Sequence, residues 1–139
     1  MTSTCLCGAV QVTIEATPEF IHDCNCTLCR KTGGAWAYFG SASVHVSGTT
    51  VTTQRPDRPS PAVDIHSCAA CHVTTHFALS ETFRAANPEA DQVGVNMRLF
   101  DPDELVSIEV RYPDGKGWDG VHPFGYRREA FTISETSRW

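Results

Sequence analysis

The arrangement of the cysteines constrains this chain more than any other feature of its sequence. Seven cysteines fall into three short clusters, Cys-x-Cys, Cys-x-Cys-x-x-Cys and Cys-x-x-Cys, and none stands alone. A disulfide framework prefers an even number of dispersed cysteines in a secreted chain. A redox Cys-x-x-Cys motif uses two cysteines in a βαβ unit, and no such unit is visible. Clustered thiols at these spacings therefore favour metal binding. The clusters are Cys5 and Cys7; Cys24, Cys26 and Cys29; Cys68 and Cys71.

The ligand chemistry favours zinc. Two thiolates on a Cys-x-x-Cys turn can reach one ion at a Zn–S distance of about 2.3 Å. A Cys-x-Cys pair can do the same where the chain turns sharply, and Gly8 after Cys7 permits such a turn. All-thiolate ligation is typical of zinc or iron–sulfur sites, and these spacings differ from the ferredoxin patterns.

Seven ligands divide naturally into four and three. Structural zinc sites have four protein ligands, whereas catalytic sites have three and keep one position open. The two pairs supply the four and are called the quartet here: Cys5, Cys7, Cys68 and Cys71. The middle cluster supplies the three and is called the triplet: Cys24, Cys26 and Cys29. An alternative stays open, because His22 or His72 could complete a Cys3His site, and His22 as a fourth ligand would close the triplet.

Composition excludes several classes of function. The chain has 139 residues, 41% of them hydrophobic, which is enough for one globular domain with a buried core. No apolar run approaches the length of a membrane helix, and no secretory signal is visible, so we expect a cytoplasmic protein without a membrane partner. The formal net charge of −5 argues against a nucleic-acid partner. A homo-oligomer is left open.

Short alternating segments predict an all-β, β-dominated domain built from antiparallel strands. Ser47-Gly48 reads as a hairpin turn, and Asp101–Leu105 as one helical turn with Asp101 as its N-cap. We expect the domain to span residues 1–118 and a C-terminal extension to span residues 119–139. The predicted strands are Ala9–Ala16, Ala35–Phe39, Val44–Val46, Thr50–Thr53, Val63–His66, Val73–Leu79, Val93–Leu99 and Val106–Tyr112.

The motifs around the cysteines resemble those of the glutathione-dependent formaldehyde-activating enzymes, also called the GFA or CENP-V-like family. The resemblance covers residues 5 to about 118. It rests on the order Cys-x-Cys-Gly, Cys-x-Cys-x-x-Cys-Arg and Cys-x-x-Cys. The matching segments are Cys5–Val10, Cys24–Gly34, Cys68–Cys71, Val95–Arg98 and Tyr112–Trp118. Two positions depart from the pattern, since Asn25 stands where the family often has His and His72 where it usually has Gly.

The resemblance implies a fold, two metal sites and a reaction. The fold would be similar to the Mss4-like one, with several short, coiled antiparallel sheets around zinc. The quartet would hold a structural Zn²⁺, and the triplet a second Zn²⁺, partly occupied, at the active site. The implied activity is that of a carbon–sulfur lyase, which reversibly joins formaldehyde to glutathione as S-(hydroxymethyl)glutathione.

The residues beside the triplet are candidates for substrate binding. Arg30 and Lys31 directly follow Cys29 and could meet the carboxylates of glutathione. Asn25 and Thr32 could donate hydrogen bonds. The expected partners are a small-molecule thiol and an aldehyde, with Cys24, Cys26 and Cys29 as the catalytic group. The alternatives are a non-catalytic, zinc-stabilised binding module and a thiol-binding sensor or carrier.

Overall fold

The computed structural model describes residues 1–139 and consists mainly of short strands, which confirms the all-β prediction. The strands are β1 (Thr2–Thr4), β2 (Gln11–Ile14), β3 (Phe20–His22), β4 (Trp36–Phe39), β5 (Val44–Ser47), β6 (Thr50–Thr53), β7 (Val63–Cys68), β8 (Thr74–Leu79), β9 (Val93–Asn96), β10 (Glu109–Arg111) and β11 (Phe131–Thr132). The helices are α1 (Thr27–Thr32) and α2 (Glu81–Ala86), with 3-10 turns at Ser41–Ser43, Met97–Leu99 and Pro102–Leu105.

The strands form two sheets. The smaller sheet has the order β1-β2-β5, and the larger has the order β11-β10-β3-β4-β9-β8-β7-β6. All pairs are antiparallel except β10 with β3, which run parallel. Val12 and Ile14 of the small sheet join Ile21 and Val95 of the large sheet in one buried cluster. The main core therefore lies between the sheets.

The predicted turn at Gly48 exists but does not make a hairpin. β5 pairs with β2 in the small sheet, whereas β6 pairs with β7 in the large one. The chain passes between the sheets at Gly48, whose φ is 95°. A Cβ on this residue would overlap the carbonyl oxygen of Ala9, so the crossing also needs a glycine for space.

Several predicted strands end earlier than their patterns suggest. Val93–Leu99 is a strand only to Asn96, because the Asn96 side chain then accepts a hydrogen bond from the Arg98 amide at 3.3 Å and caps a 3-10 turn.

The predicted turn after Asp101 is confirmed: Asp101 caps it by accepting from the Asp103 amide at 2.9 Å. Helix α1 lies inside the triplet segment, where the sequence showed no helical periodicity.

The C-terminal residues contribute to the large sheet. Phe131–Thr132 forms strand β11 beside β10, and Ile133 is buried in the main core. The division at residue 118 stays a prediction. No helix in the chain has both the length and the apolar character needed to cross a lipid bilayer.

Candidate metal centres

The quartet brings together two segments that lie far apart in the sequence. Its four Sγ atoms all lie within 4.8 Å of one another. Cys5 and Cys7 lie on the turn after β1, where Gly8 has a φ of 77°. Cys68 ends β7, and Cys71 lies on the following turn. The two turns thus face each other across the edge of the fold.

The sulfur–sulfur distances in the quartet fit one tetrahedral ion. Cys5 Sγ lies 3.6 Å from Cys7 Sγ, which lies 3.8 Å from Cys68 Sγ. A tetrahedron with Zn–S bonds of about 2.3 Å has edges of about 3.8 Å. Backbone amides also point at the sulfurs: Val10 donates to Cys5 Sγ at 3.3 Å. The four thiols therefore fit a closed zinc site.

His72 shapes the quartet turn through its backbone. The residue has a φ of 59°, a left-handed conformation that glycine adopts without strain and other residues rarely adopt. Its amide donates to the carbonyl oxygen of Cys68 at 2.9 Å, which closes the turn around the sulfurs. Its exposed side chain is not part of the group of four close sulfurs. His72 thus stands at a left-handed position that a glycine would occupy at a lower cost in backbone energy.

The triplet is built on the N-terminus of α1. Its three Sγ atoms lie within 4.8 Å of one another, and Cys26 Sγ is 3.4 Å from Cys29 Sγ. Cys26 is the N-cap of α1, with its sulfur accepting from the Cys29 amide at 3.5 Å. The Cys26 amide in turn donates to Cys24 Sγ at 3.4 Å. Gly33 ends the helix in a left-handed conformation.

Aromatic side chains form the inner wall of the triplet. Trp36 Nε1 donates a hydrogen bond to Cys29 Sγ at 3.3 Å. The indole packs edge-on against Phe77, with ring centroids 5.1 Å apart. Cys29, Trp36, Ile65 and Phe77 form a buried cluster on the face of the large sheet that is opposite the main core. One sulfur is therefore held in an apolar wall, while Cys24 and Cys26 are partly exposed.

Close packing makes the three thiols titrate unequally. Hydrogen bonds from Cys24 and Cys29 hold the pKa of Cys26 well below the usual thiol range. Hydrogen bonds with Cys24 and Cys26, followed by burial, raise the pKa of Cys29. Three thiolates this close repel one another, so the fully ionised group requires a cation. The donor set thus suits a soft divalent metal with one position not filled by cysteine.

His22 lies beside the triplet without joining it. Its ring is not part of the group of three close sulfurs. Nδ1 is 3.1 Å from the Tyr38 hydroxyl, and Nε2 is buried without a hydrogen-bond partner. Burial, followed by the charge of Arg111, lowers the pKa of His22 to about 4, so the ring is neutral at pH 7. In this structure the triplet therefore offers three sulfurs, not three sulfurs and an imidazole.

Three of the four predicted substrate residues lie within α1, and Asn25 lies just before its N-cap. Arg30 is exposed, with Nε donating to the Asn25 carbonyl at 3.1 Å. Lys31 and Thr32 line a groove of about 500 Å³ that also includes Asn96 and Arg98. Asn25 uses both ends of its side-chain amide to bind the loop at residues 114–116. Its amide is thus not free for a substrate while these bonds persist.

Three arginines near the triplet come from distant parts of the chain. Arg98 and Arg127 each place a guanidinium nitrogen 3.0 Å from the Asp23 carboxylate, beside Cys24. Arg111 lies opposite His22 in the pairing of β10 with β3. Arg127 lies in the predicted C-terminal extension, residues 119–139. No local signal could have found these contacts, because Arg127 and Asp23 are 104 residues apart.

Comparison with known proteins agrees with this geometry. The sequence profile of the family described as "Glutathione-dependent formaldehyde-activating enzyme" matches residues 1–110, which include both cysteine groups. The crystal structure of a Rhodobacter sphaeroides protein is similar, with a TM-score of 0.57 and 26% sequence identity. The match covers 78% of this chain and 97% of that one. No curated protein matches the chain significantly. With its two cysteine groups and a profile match over most of its length, the chain belongs to the glutathione-dependent formaldehyde-activating enzyme family.

Proposed function

We propose that this protein is a zinc-dependent carbon–sulfur lyase that reversibly adds formaldehyde to a thiol such as glutathione. In the forward direction a bond forms between the thiol sulfur and the aldehyde carbon, and the proton of the thiol passes to the carbonyl oxygen. The product is S-(hydroxymethyl)glutathione. The observation that carries the proposal is the triplet, three converging thiols that leave one position for a ligand.

The two cysteine groups have different roles in this proposal. Cys5, Cys7, Cys68 and Cys71 would hold a structural Zn²⁺, because four sulfurs leave no position for substrate. Cys24, Cys26 and Cys29 would hold the second Zn²⁺. A zinc ion in the triplet would lower the pKa of a thiol bound to it and so supply a thiolate at neutral pH.

The residues around the triplet tune and shield that site. The indole N–H of Trp36 stabilises negative charge on Cys29 Sγ, which is buried and would otherwise lack a donor from outside the cysteine group. The rings of Trp36 and Phe77 exclude water from the inner side. Arg98 and Arg127, although paired with Asp23, bring cationic groups to the segment that contains Cys24. They offset the net negative charge of three thiolates around one divalent ion.

Recognition of glutathione is assigned to the C-terminal end of α1. Lys31 and Thr32 line the groove together with Arg98, so a carboxylate of the tripeptide would meet at least one cation there. Arg30 lies exposed on the same helix and offers its remaining N–H groups. Asn25 would influence the bound glutathione only indirectly, through the loop at residues 114–116 that its side chain holds. This assignment predicts that the sulfur and the carboxylates bind on opposite ends of α1.

The partners and location follow from the same chemistry. All seven cysteines are free thiols. Free thiols persist best in a reducing compartment, so we place the protein in the cytoplasm. A net charge of −5 disfavours nucleic acid as a partner. The substrates are then a small thiol and an aldehyde, and a homo-oligomer would be compatible with the reaction.

One observation favours a second function, that of a zinc-stabilised binding module. Residues 118–126 expose four apolar side chains within nine positions, and Val121 is 83% exposed. Such a surface fits a protein partner. In that case both ions would be structural, and thiols would leave them unchanged. The exposed members are Trp118, Val121, Phe124 and Tyr126.

The decisive experiment measures zinc content and zinc-edge X-ray absorption with and without glutathione. We expect two zinc ions per chain and an average sulfur count that rises when glutathione binds. The exchange of ¹³C-formaldehyde with S-(hydroxymethyl)glutathione, followed by NMR, should exceed the spontaneous rate, and Cys26→Ser should abolish the excess. Two sites with four protein ligands each, unchanged by thiols, would contradict the lyase and support the binding module.

A further inference from the structure

Asn25 connects the triplet to a loop that lies 89 residues further along the chain. It sits between Cys24 and Cys26, and its Nδ2 donates to Asp114 Oδ1 at 2.6 Å. Its Oδ1 accepts from the Lys116 amide at 2.8 Å. Both ends of one amide are therefore used to hold the segment at residues 113–117, called the 113–117 loop below.

The 113–117 loop is itself well ordered by hydrogen bonds. The Gly117 amide donates to the carbonyl oxygen of Asp114 at 3.2 Å and approaches its carboxylate at 3.3 Å. The Asp114 amide donates to the Gly125 carbonyl at 2.7 Å, which ties the loop to the C-terminal segment. Asn25 thus holds a preformed loop, which we expect to move as a unit when it leaves the triplet.

The loop backbone rests directly on the triplet. A Cβ built on Gly115 would overlap Cys24 Sγ and lie 2.9 Å from Cys26 Cβ. Only a residue without a side chain fits this approach. Gly115 therefore covers one side of the sulfurs, and any ligand must reach the triplet ion past this loop or from the remaining side.

We propose that Asn25 is a positioning residue whose side-chain amide holds the 113–117 loop against the triplet and so limits exchange at the triplet ion. The inference rests on the proposed function, since it takes the triplet to hold an ion. The profile match covers residues 1–110 and ends before the loop. The chain also carries Asn at a position where the family often has His.

The effect of losing the Asn25 hydrogen bonds on loop opening can be predicted. One of them is made to a carboxylate and is stronger than a bond between neutral groups. Removing it should raise the population of the open loop about tenfold. Asp114→Ala removes only the bond to the carboxylate, whereas Asn25→Ala also removes the bond from the Lys116 amide. Asn25→Ala should therefore act at least as strongly as Asp114→Ala, and the double variant should add little to Asn25→Ala.

The lysines provide a direct readout of loop opening. The chain contains only two, Lys31 within α1 and Lys116 within the loop. A lysine-specific endoprotease acting on the zinc-loaded protein should therefore cut at Lys116, giving fragments 1–116 and 117–139. We expect cutting to be about tenfold faster in Asn25→Ala and in Asp114→Ala. Asn87→Ala, which removes an exposed amide that bonds only within its own helix end, should cut at the wild-type rate.

The second readout is the release of zinc to a colorimetric chelator. The triplet ion should leave in a fast phase and the quartet ion in a slow one. Both loop variants should accelerate the fast phase about tenfold and leave the slow phase unchanged. Asp114→Ala guards against a direct effect on the cysteine turn, because it changes the loop and not the segment between Cys24 and Cys26. Unchanged cutting, or faster cutting with an unchanged fast phase in both variants, would overturn the inference.

The two proposals fail in different ways. If the wild-type protein binds one zinc only, the proposed function fails, and the loop is then judged by the rate at which iodoacetamide alkylates Cys24. Faster alkylation in both variants would support the closed loop, and equal rates would refute it. A different outcome is that two zinc ions bind and glutathione raises the zinc sulfur count, but the loop variants have wild-type rates of cutting and zinc release. In that case the proposed lyase function is retained and the proposed role of Asn25 is rejected.

Discussion

The quartet and the triplet use the same ligand atom in opposite structural settings. Cys7 and Cys68 of the quartet are 61 residues apart, whereas the triplet lies within residues 24–29. An ion in the quartet would join the turn after β1 to the end of β7, and thereby link the small sheet to the large one. An ion in the triplet would only tighten the start of a six-residue helix. An ion in the quartet would therefore stabilise the fold, whereas an ion in the triplet would contribute much less to it.

The surroundings of the quartet and the triplet also differ, the first being mainly apolar and the second more polar. Val10 and Val73 pack around the quartet, and backbone amides supply its hydrogen bonds. The triplet has an indole donor, a neutral histidine nearby and arginines brought in from distant parts of the chain. A structural metal site, which only links distant segments of the chain, needs apolar packing around it. A site that binds a changing ligand needs polar groups that can respond to it.

The largest expected effect is the loss of the fold on removal of one quartet thiol. Structural zinc contributes on the order of 10 kcal/mol, which is comparable to the whole stability of about 5–15 kcal/mol for a domain of this kind. Cys68→Ser should therefore be unfolded at 25 °C, as measured by circular dichroism and by the zinc content. A folded variant with a cooperative melt would contradict the structural role of the quartet.

The matching change in the triplet should leave the protein folded. Serine at position 26 remains a good N-cap for α1, so Cys26→Ser should lose less than about 3 kcal/mol of stability. It should lose one zinc per chain and the exchange activity with formaldehyde. Thermal unfolding, metal analysis and the NMR exchange assay together test this. If Cys26→Ser and Cys68→Ser unfold to the same extent, the contrast between the two groups is wrong.

Acid should weaken the large sheet, in which Cys68 ends β7, through His76. The ring stacks on His66 with centroids 4.4 Å apart, and β7 with its Cys68 lies beside it. Burial, followed by the nearby His66, lowers the pKa of His76 from 6.5 to about 4. The unfolded chain therefore takes up a proton that the folded chain refuses. Stability is fully present above pH 6.5 and falls as the pH drops towards 4, by up to about 1.4 kcal/mol per pH unit.

Urea unfolding at fixed zinc concentration between pH 5 and 7 measures this slope. The slope of the unfolding free energy against pH gives the number of protons taken up on unfolding. We expect this number to be smaller by nearly one in His76→Gln than in the wild type. His45→Gln serves as the control, because His45 lies on the exposed edge strand β5 and its side chain is 61% exposed. The comparison with wild type at each pH cancels the common effect of acid on zinc binding. Equal slopes in wild type and His76→Gln would show that the histidine stack does not contribute.

The smallest predicted effect concerns the space between the loop and the triplet. In Gly115→Ala the new methyl group would overlap Cys24 Sγ, so the loop or the sulfur must shift. We expect glutathione affinity at the triplet to change about tenfold, with little change in melting temperature. Gly125→Ala is the matched control, because a Cβ there meets no atom within 4 Å. Isothermal titration with glutathione checks both, and identical affinities would show that Gly115 does not shape the site.

Sequence reasoning found the parts of the site that depend on local spacing. Cys24, Cys26 and Cys29 lie on one turn and the start of one helix, so their convergence is a short-range property. It also grouped the two distant pairs, because four-coordinate zinc leaves few ways to divide seven thiols. It failed at Ser47-Gly48, where the turn signal is correct but the two strands do not pair with each other: β5 pairs with β2 and β6 pairs with β7.

The sequence by itself determined the all-β class and the two groups of thiols. These depend on period-two patterns and on ligand spacing, which are properties of a few neighbouring residues. Only the tertiary structure decided what lies against the triplet: the indole of Trp36, the arginine at position 127 and Gly115 held by Asn25. Each of the last two contacts joins residues about 90 to 104 positions apart. Contacts at that separation depend on the way the sheets bring distant strands together, and no local pattern encodes them.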